Sequence, residues 1–578
     1  MSRVWLAVAL VLAGLAHAAS IGSPWDGQPV GWLQLVALGA LAWHLQAGHP
    51  QAGHLQPELL QAGYPQARRT ARTAAWSGWI FATAWLCGTF WWLFIAMHTY
   101  GGLAAPLAAL AVLALAAALA LYYAAASALF AVLSPVNRVW RAVVFAALWL
   151  LAEMARGIWF TGFGWGAAAY AHIDGLAVFS KYIGAYGVTA LAAFLACLGA
   201  GWLRGPGLAG TGVGMGMGFG VRAGALALAG LVTWWAASHA LPRIGQIEFS
   251  SAGPTLEVAL LQGNIRQDEK FQPGTGVADA LRWYGEQMGT AQASLVVAPE
   301  TAIPLLPQQL PPGYWEALAK PFLTGHQALM FGVPLGSYEA GYTNSVVAIK
   351  RDARAAWPIT APPPEQAYRY DKHHLVPFGE FIPPLFKWFT RMMNIPLGDF
   401  NRGAVGQPSF EWQGQRLAPN VCYEDLFGEE LAARFIDPAR APTIFVNVSN
   451  IGWFGNTVAI DQHRNISRMR ALEFERPFIR ATNTGDTVII DHTGRVTHAL
   501  PRHVRGVLSG SVQGRTAAMQ GHAGAEASGR GGSGITPYAW WVSRFGVWPL
   551  WILATGVVGL AALQTFFRKI RTRLANGP

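Results

Sequence analysis

Long apolar runs fill the first part of the chain and one more lies near its C-terminus, whereas the residues between them mix short apolar and polar stretches. A helix needs about 20 apolar residues to cross the roughly 30 Å of hydrocarbon in a bilayer. The runs that approach this length cover residues 4–19, 30–47, 75–97, 103–133, 139–154, 179–203, 223–240 and 545–567. The pattern predicts seven membrane-spanning helices, then a polar domain, then an eighth spanning helix.

The polar domain has a different periodicity, because short runs rich in Val, Ile and Phe alternate with helix-like and loop segments. We expect strands at residues 256–261, 294–297, 328–333, 345–349, 410–412, 416–421, 443–448 and 487–491, and helices at 314–320 and 451–471. Such alternation is typical of an α/β domain with helices on the faces of its sheet. The predicted organisation is a multi-span α-helical membrane domain (1–243), the α/β domain (244–513), a flexible linker (514–543), and a final helix with a basic tail (544–578).

Low-complexity segments interrupt this organisation. Residues 46–67 repeat Gln-Ala-Gly-His or Gln-Ala-Gly-Tyr, residues 212–220 alternate glycine with apolar residues, and residues 514–536 are rich in Gly, Ala and Ser. The glycine-rich segment is not followed by Lys-Ser or Lys-Thr, as a phosphate-binding loop would be. We interpret the three segments as a solvated insertion, an inter-helix loop and a linker.

Composition and charge support the membrane interpretation. The chain has 578 residues, of which 53% are hydrophobic and 12% charged, whereas soluble proteins are about a quarter charged. The net charge of +11 is not gathered into a basic stripe with interleaved aromatic residues, so nucleic-acid binding is not expected. The basic residues beside the apolar runs fall on one side of the membrane if the chain starts inside: Arg3, Arg68, Arg69, Arg72, Arg138, Arg141, Arg204, Arg222, Arg568, Lys569, Arg571 and Arg573. This distribution places the polar domain outside, facing the periplasm.

The N-terminus has two interpretations. Arg3, an apolar stretch and the tripeptide at residues 16–18 fit a cleavable signal peptide as well as a first spanning helix. Cleavage would leave six spans before the polar domain, which would still face outside. We interpret the segment as an uncleaved helix.

One thiol stands apart from the others. Cys87 and Cys197 lie inside apolar runs, where a cysteine is usually a small buried hydrophobic residue. Cys422 is the only cysteine of the polar domain; it follows a strand-like run and precedes acidic residues. An unpaired thiol in this position indicates a nucleophile, with a buried core cysteine as the alternative.

Two charged residues complete a candidate catalytic set. Glu300 follows a predicted strand in an apolar segment with two prolines, and burial there is expected to raise the pKa of its carboxyl toward the range of a general base. Lys372 lies in the segment 370–380 and would otherwise be a surface lysine. A carboxylate, an ammonium group and a thiol supply a base, an electrostatic partner and a nucleophile.

This order of residues, with its flanks, resembles the nitrilase superfamily, and the apolar runs point to its membrane-embedded branch, the apolipoprotein N-acyltransferases. The resemblance covers the whole polar domain and, with the spans, nearly the whole chain. It implies an α/β nitrilase-like domain, a four-layer αββα sandwich with the catalytic residues at the carboxyl ends of strands. It assigns Glu300 as base, Lys372 as the group that holds the oxyanion, and Cys422 as the thiolate nucleophile. The supporting residues that it implies are Glu380 and Glu424. By analogy with nucleophiles on strand-to-helix turns, the backbone N–H of Tyr423 is expected to be a second oxyanion donor.

The resemblance also implies aromatic contacts with the substrate. Phe271 stands where some members carry Trp, so it keeps an apolar surface but lacks the indole donor. Trp453 and Phe454 are expected to form a mobile aromatic flap, with core packing as the alternative. Trp165 lies in a loop that resembles a family loop, although Gly164 stands where the family often has Pro.

The implied reaction has two steps in the bacterial inner membrane. Cys422 takes a fatty acyl chain from a phospholipid, which is phosphatidylethanolamine in the family, and forms a thioester. The α-amino group of a diacylglyceryl-cysteine on an apolipoprotein then attacks that thioester. No metal and no dissociable cofactor are implied.

Three other functions are open to the same sequence. A membrane-anchored amidase that hydrolyses a carbon–nitrogen bond in an exported small molecule would share the catalytic residues but would need only one anchor. A Cys–His protease could use His373, His374 or His463, but the chain lacks a local signature of that class and Glu300 and Lys372 would have no role. A lipid-binding transporter or scaffold would leave the catalytic set unexplained, and the spans carry few charges for a translocation path.

Overall fold

The computed structural model describes residues 3–46, 63–133, 135–203, 254–337, 339–351, 367–382, 400–515 and 534–575. Contacts divide the chain into two compact units: Met1–Trp91, Ala109–Gln246 and Val547–Pro578 form the first, and Trp92–Ala108 and Ile247–Gly546 form the second. The predicted span at 223–240, the glycine-rich segment at 212–220, and most of the repeat at 46–67 and of the linker lie outside the described residues.

The helices vary widely in length. In chain order they are α1 (Arg3–Ile21), α2 (Gly31–Gln46), α3 (Gly63–Phe90), α4 (Ala105–Leu133), α5 (Arg138–Ile158), α6 (Ser180–Leu203), α7 (Ala278–Thr290), α8 (Tyr314–Thr324), α9 (Gly428–Ala432), α10 (Val458–Phe474), α11 (Pro537–Phe545) and α12 (Trp548–Ala575). Within the described part of the chain, five helical stretches are long and apolar enough to cross a membrane: Arg3–Ile21, Ala105–Leu133, Arg138–Thr161, Leu176–Leu203 and Trp548–Arg571. Each coincides with a predicted span, whereas the run at 30–47 forms the 16-residue helix α2.

The run at 75–97 is not one straight helix. Thr70–Phe90 and Leu93–Tyr100 meet at 62°, and they count as a sixth span only if the bent pair is taken as one. Trp92, at the break, is almost fully buried, and its indole N–H donates to Gln462 Oε1 (3.1 Å). The bend therefore lies where the chain passes into the second unit, whose side chains hold Trp92.

Two six-stranded sheets form the centre of the second unit. Their strands are β1 (Leu256–Gln262), β2 (Leu295–Val297), β3 (Ala328–Ser337), β4 (Gly341–Ile349), β5 (Tyr368–Asp371), β6 (Phe410–Trp412), β7 (Gln415–Val421), β8 (Ile444–Ser449), β9 (Phe478–Thr482), β10 (Val488–Ile490), β11 (Val496–Ala499) and β12 (Gly506–Val512). The strand orders are β12-β1-β2-β3-β4-β5 and β11-β10-β9-β8-β7-β6. All eight predicted strands are present, with small shifts at their ends.

Alternating side chains build two apolar layers around the first sheet. Leu295 and Val297 of β2 point between the sheets, where residues of both sheets form one buried cluster. Val296 points the other way and packs with α7 and α8, as the period of two in a strand requires. On the far side of the second sheet, Phe445 of β8 packs against Phe474 of α10. Helices therefore cover both outer faces, and the predicted αββα sandwich is confirmed.

Candidate active site

A sharp turn at the end of β7 presents the thiol. Cys422 follows the last residue of β7 and opens a 3₁₀ turn over Cys422–Leu426. Its φ of +52° lies in the left-handed region, which costs a residue with a side chain about 1–2 kcal/mol. The carbonyl oxygen of Cys422 accepts a hydrogen bond from Asn447 Nδ2 (3.1 Å). The turn ends the strand abruptly and leaves the thiol partly buried at the edge of the sheet.

Glu300 lies three residues after β2 and is held on both carboxylate oxygens. Its Oε1 accepts from Asn344 Nδ2 (2.7 Å) and Lys372 Nζ (3.4 Å), and its Oε2 accepts from the backbone N–H of Asn450 (2.9 Å). The side chain is 9% exposed. A carboxylate so enclosed and so bonded has one orientation, as a base that must meet a thiol requires.

Lys372 follows β5 and joins two carboxylates. Its Nζ lies 2.9 Å from Glu380 Oε1 and 3.4 Å from Glu300 Oε1, and its side chain is 1% exposed. Burial alone would disfavour the ammonium form, but Glu380 and Glu300 hold the pKa of Lys372 above its ordinary value. Lys372 is therefore a fixed positive charge in the site, as the resemblance implied.

Glu424 ties the lysine segment to the cysteine segment. Its Oε1 accepts from the backbone N–H groups of His373 (2.6 Å) and His374 (3.1 Å). Its Oε2 accepts from the hydroxyl of Tyr370 (2.8 Å) and the backbone N–H of Val421 (2.6 Å). One buried side chain thus fixes the residues beside Lys372 and beside Cys422, and its supporting role in the chemistry stays a prediction.

The electrostatics differ from the sequence-based expectation for Glu300. Burial does favour the neutral acid, but the Lys372 ammonium, Asn344, Lys270 and the Asn450 N–H together hold the pKa of Glu300 below its ordinary value. The predicted upward shift is wrong because an isolated carboxyl was assumed. Glu300 is consequently an ionised carboxylate at neutral pH and can accept a proton.

The pKa of the Cys422 thiol is raised above its ordinary value, whereas that of Glu300 is lowered. Burial and the neighbouring Glu300 carboxylate raise the pKa of Cys422 to about 12, although Lys372 acts to lower it. The resemblance implied attack by a thiolate, and this pKa means that the thiolate forms only as a base takes the proton. Cys422 rests as a thiol, so its proton has to leave as the sulfur attacks, and the ionised Glu300 is the acceptor that the site supplies.

Two residues of the site escaped the sequence analysis. Asn344 Nδ2 donates both to Glu300 Oε1 and to Glu380 Oε1, each at 2.7 Å. Lys270 is fully buried and donates to the backbone oxygen of Glu300 (3.1 Å); burial lowers the pKa of Lys270 to about 7, despite Glu300 and Cys422 nearby. Asn344 lies between Thr343 and Ser345 in the polar half of β4, so no apolar pattern marked it, and the predicted strand began one residue later.

Replacing Asn344 by Ala is expected to destabilise the protein and slow its chemistry. Two buried carboxylates would lose a donor, at a cost of about 1–3 kcal/mol in folding free energy. The measurement is the unfolding temperature of the purified variant in detergent. Asn401→Ala is the matched control, because the Asn401 side chain donates to a backbone oxygen at the surface. Equal unfolding temperatures for the two variants would contradict the prediction.

The predicted flap residues pack against aromatic side chains of the same unit. Trp453 contacts Tyr100 (ring centroids 5.9 Å apart) and Phe454 contacts Trp92 (4.3 Å). They follow Asn450, whose backbone N–H reaches Glu300. The segment 450–454 therefore runs from the Glu300 carboxylate to Trp92 and Tyr100 of the bent apolar stretch, and its role as a mobile flap stays a prediction.

The other two predicted substrate contacts stand in different places. Phe271 is partly buried beside Lys270, whose Nζ lies 5.9 Å from its ring centroid. Trp165 belongs to the first unit; its side chain is buried, and its carbonyl accepts from Arg156 Nη1 (2.8 Å). The binding roles of both residues stay predictions.

The three histidines of the protease alternative have other partners. His373 Nδ1 lies 2.7 Å from the carbonyl oxygen of Gly403, and His374 Nδ1 lies 2.9 Å from Glu430 Oε1. His463 Nε2 lies 3.1 Å from the backbone oxygen of Cys422. The charges of Lys372 and Glu300 are the ones that act on the Cys422 thiol, and the arrangement therefore favours a Glu–Lys–Cys site.

Among the described residues, no group of three or more His, Cys, Asp or Glu side chains is arranged to hold a metal ion.

Two family profiles together match most of the chain. The apolipoprotein N-acyltransferase N-terminal domain matches residues 13–198, and the carbon–nitrogen hydrolase family matches residues 257–520. A solved carbon–nitrogen hydrolase from Helicobacter pylori G27 is 17% identical, covers 44% of this chain and 88% of its own, and has a TM-score of 0.31. The nitrilase-like fold is therefore assigned from the family profile and from the two sheets themselves.

Curated relatives are similar over nearly the full length. The apolipoprotein N-acyltransferase of Verminephrobacter eiseniae is 56% identical over 94% of both chains. That of Ralstonia nicotianae is 42% identical over 78% of this chain and 80% of its own, and that of Bordetella bronchiseptica is 39% identical over 98% and 97%. Identity of this degree and extent, spanning both the apolar helices and the Glu–Lys–Cys site, shows that the chain belongs to the apolipoprotein N-acyltransferase family.

Proposed function

We propose that this protein transfers a fatty acyl chain from a phospholipid to the α-amino group of a diacylglyceryl-cysteine on an apolipoprotein, through a thioester on Cys422. The observation that carries the proposal is the buried Glu300–Lys372 pair, both of whose charges act on the Cys422 thiol, in a chain with five apolar helices of spanning length among its described residues. An acyl donor and an acceptor that both reside in a bilayer account for this combination.

The first half-reaction transfers the acyl chain to sulfur. As Cys422 Sγ attacks the ester carbonyl carbon, Glu300 takes the thiol proton. Lys372 and the backbone N–H of Tyr423 stabilise the oxyanion of the tetrahedral intermediate. The intermediate then breaks its carbon–oxygen bond, and Glu300 returns the proton to the leaving oxygen, which gives a lysophospholipid and the thioester.

The second half-reaction uses the same groups, with the sulfur of Cys422 now as the leaving group. The neutral α-amino nitrogen of the acceptor attacks the thioester carbonyl, and Glu300 takes a proton from that nitrogen. The carbon–nitrogen bond forms, the carbon–sulfur bond breaks, and the sulfur leaves as a thiolate that Glu300 reprotonates. Glu380, Glu424 and Asn344 hold the base and the lysine in place through both steps.

Localisation and donor choice belong to the same proposal. We assign the chain to the bacterial inner membrane with its catalytic domain in the periplasm, because the arginines and lysines beside the apolar runs fall on one side. The proposed domain boundaries are 1–243 for the N-terminal membrane domain, 244–513 for the catalytic domain, 514–543 for the linker and 544–578 for the C-terminal helix and tail. Phosphatidylethanolamine is the proposed donor, and Phe271, Trp453, Phe454 and Trp165 are the proposed contacts with its acyl chain or with the acceptor.

A two-substrate assay tests the function. The purified protein is incubated with phosphatidylethanolamine and a synthetic diacylglyceryl-cysteine peptide, and the products are identified by mass. The proposal expects an N-acylated peptide and an equal amount of lysophosphatidylethanolamine. With a peptide whose amine is acetylated, it expects no acylated peptide and no lysophosphatidylethanolamine beyond the single turnover that acylates Cys422. Release of free fatty acid with or without the peptide would instead indicate a hydrolase and would contradict the proposal.

Reporter fusions test the orientation. A reporter that is active only outside the cytoplasm is expected to be active after Gln246 and after Gly514, and inactive after Arg573, because the basic residues retain their side of the membrane. The measurement is the activity of the reporter in intact cells that express each fusion. An active reporter after Arg573 would overturn the assignment.

A further inference from the structure

A buried polar network lies behind the nucleophile and has no part in the mechanism above. Asp425 sits in the turn that Cys422 opens, His463 and Ser467 lie one helical turn apart on α10, and Arg480 is on β9. All four side chains are almost fully buried. Charged and polar groups are rarely buried unless each has a partner, so the arrangement of their hydrogen bonds is informative.

The hydrogen bonds fix the tautomer of His463. Arg480 Nη2 lies 3.1 Å from His463 Nδ1. A guanidinium can only donate, so Nδ1 is the acceptor and the ring proton is on Nε2. That nitrogen lies 3.0 Å from Asp425 Oδ1 and 3.1 Å from the backbone oxygen of Cys422. His463 therefore points an N–H toward Cys422 and has no free nitrogen there to receive a proton from the thiol.

The partners of His463 hold its ring in place. Asp425 Oδ2 accepts from Ser467 Oγ (2.5 Å) and from Arg480 Nη1 (3.1 Å). Arg480 also donates to the backbone oxygen of His463 (3.2 Å). With Nδ1 bonded to the guanidinium and Nε2 shared between a carboxylate and a carbonyl, the ring has one orientation.

The carbonyl group that His463 contacts shares its peptide unit with the backbone N–H of Tyr423. The oxygen of Cys422 and the N–H of Tyr423 belong to one planar peptide unit, so fixing the oxygen also fixes the direction of the N–H. Asn447 Nδ2 is a further donor to that same oxygen (3.1 Å). The two donors clamp a peptide whose Cys422 end has a φ of +52°, a conformation that needs support from its surroundings.

We propose that His463 is a positioning residue of the acyl-transfer reaction: its Nε2–H, oriented by Asp425 and Arg480, holds the Cys422–Tyr423 peptide so that the Tyr423 N–H faces the developing oxyanion. This proposal rests on the proposed function, since it takes Cys422 as the nucleophile. It excludes His463 as the base of the thiol.

The test compares two replacements of His463 in the full-length purified protein. His463→Gln keeps a donor near the position of Nε2, whereas His463→Met keeps the bulk and removes the donor. Acyl-enzyme formation from phospholipid should lose about 10- to 100-fold in kcat in His463→Met, with KM within about twofold of wild type, as expected for a small misplacement of a catalytic group. His463→Gln should regain most of the rate, and the exposed His498→Gln on β11 should match wild type.

A second readout separates an effect on the oxyanion donor from an effect on the thiol. Alkylation of Cys422 by a small maleimide needs the thiolate but no oxyanion donor, so His463→Met should alkylate within about threefold of wild type. Parallel loss of alkylation and acyl transfer would mean that His463 acts on the thiol itself rather than on the oxyanion donor, and would overturn the proposal. Full acyl transfer by His463→Met, or a His463→Gln variant as slow as His463→Met, would overturn it too.

A second variant keeps the test decisive if His463→Met does not fold. Asn447→Leu removes the other donor to the Cys422 oxygen and should give the same pattern, with slow acyl transfer and near-normal alkylation; normal acyl transfer would contradict the clamp. Failure of the underlying function looks different, because wild type itself would then form no acyl adduct on Cys422.

Discussion

Cys422→Ser is expected to form no acyl-enzyme and to transfer no acyl chain, while it folds and inserts into the membrane as wild type does. A serine hydroxyl is far less acidic than a thiol and a weaker nucleophile, and the site already raises the pKa of the thiol to about 12. A serine hydroxyl is less acidic still, so it would give up its proton to the Glu300 carboxylate far less readily. The assay is acyl transfer from phosphatidylethanolamine to the peptide acceptor.

Cys87→Ser is the matched control for this prediction. Cys87 is a partly buried cysteine of α3 in the first unit, so the same chemical change there should leave acyl transfer close to the wild-type rate. Turnover by Cys422→Ser at a wild-type rate would remove Cys422 from the mechanism.

Glu300→Gln and Lys372→Met are expected to change the reactivity of the thiol in opposite directions. The Glu300 carboxylate raises the pKa of Cys422 and the Lys372 ammonium lowers it. Glu300→Gln should therefore alkylate faster than wild type at pH 7, and Lys372→Met should alkylate more slowly. Both variants should lose acyl transfer, by about 100- to 10,000-fold without the base and by about 100- to 1,000-fold without the oxyanion partner.

The alkylation rate against pH measures both effects. Because burial raises the pKa of the Cys422 thiol to about 12, the alkylation rate of wild type should rise by about tenfold per pH unit through the neutral range without reaching a plateau. The Glu300→Gln curve should lie above it and the Lys372→Met curve below it. Superimposable curves for wild type and Lys372→Met would place the lysine outside the range of the thiol, and the Glu–Lys–Cys site would fail.

Much of the catalytic domain could be predicted because its strands carry an obvious apolar signal. The four strands that the sequence analysis missed, β5, β9, β11 and β12, are short or carry polar, Gly and Ser residues, as in Gly506–Val512. Their place in the sheet is set by neighbouring strands, as in the antiparallel pairing of β1 with β12. Tertiary context of this kind outweighs local propensity.

The Glu300 and Cys422 positions could be predicted for a related reason, because each follows a predicted strand. Lys372 follows β5, which was not predicted, and only the family resemblance pointed to it. The ionisation of these residues could not be predicted, because it depends on partners brought from distant parts of the chain. Glu300 is bonded by Asn344 and Asn450, so the expectation drawn from burial alone had the wrong sign. The pKa of a buried carboxylate that is paired and hydrogen-bonded depends more on those partners than on its solvent exposure.

His463 illustrates the same limit. From the sequence, His463 is only a candidate base of an alternative protease, since a histidine and a cysteine suggest that chemistry. In the structure its Nδ1 accepts from Arg480 and its Nε2 points at the backbone oxygen of Cys422. The identity of a hydrogen-bond partner, rather than the presence of a histidine, determines what the ring can do.

The central claim is that an acyl chain passes through Cys422, and intact mass tests it most directly. Purified wild-type protein is incubated with phosphatidylethanolamine of one defined acyl chain, without acceptor, and then weighed and digested. The account predicts a mass gain of one acyl group that maps to the peptide containing Cys422 and disappears when the diacylglyceryl peptide is added. An unmodified protein that still N-acylates the peptide, or an acyl group on any other residue, would contradict it.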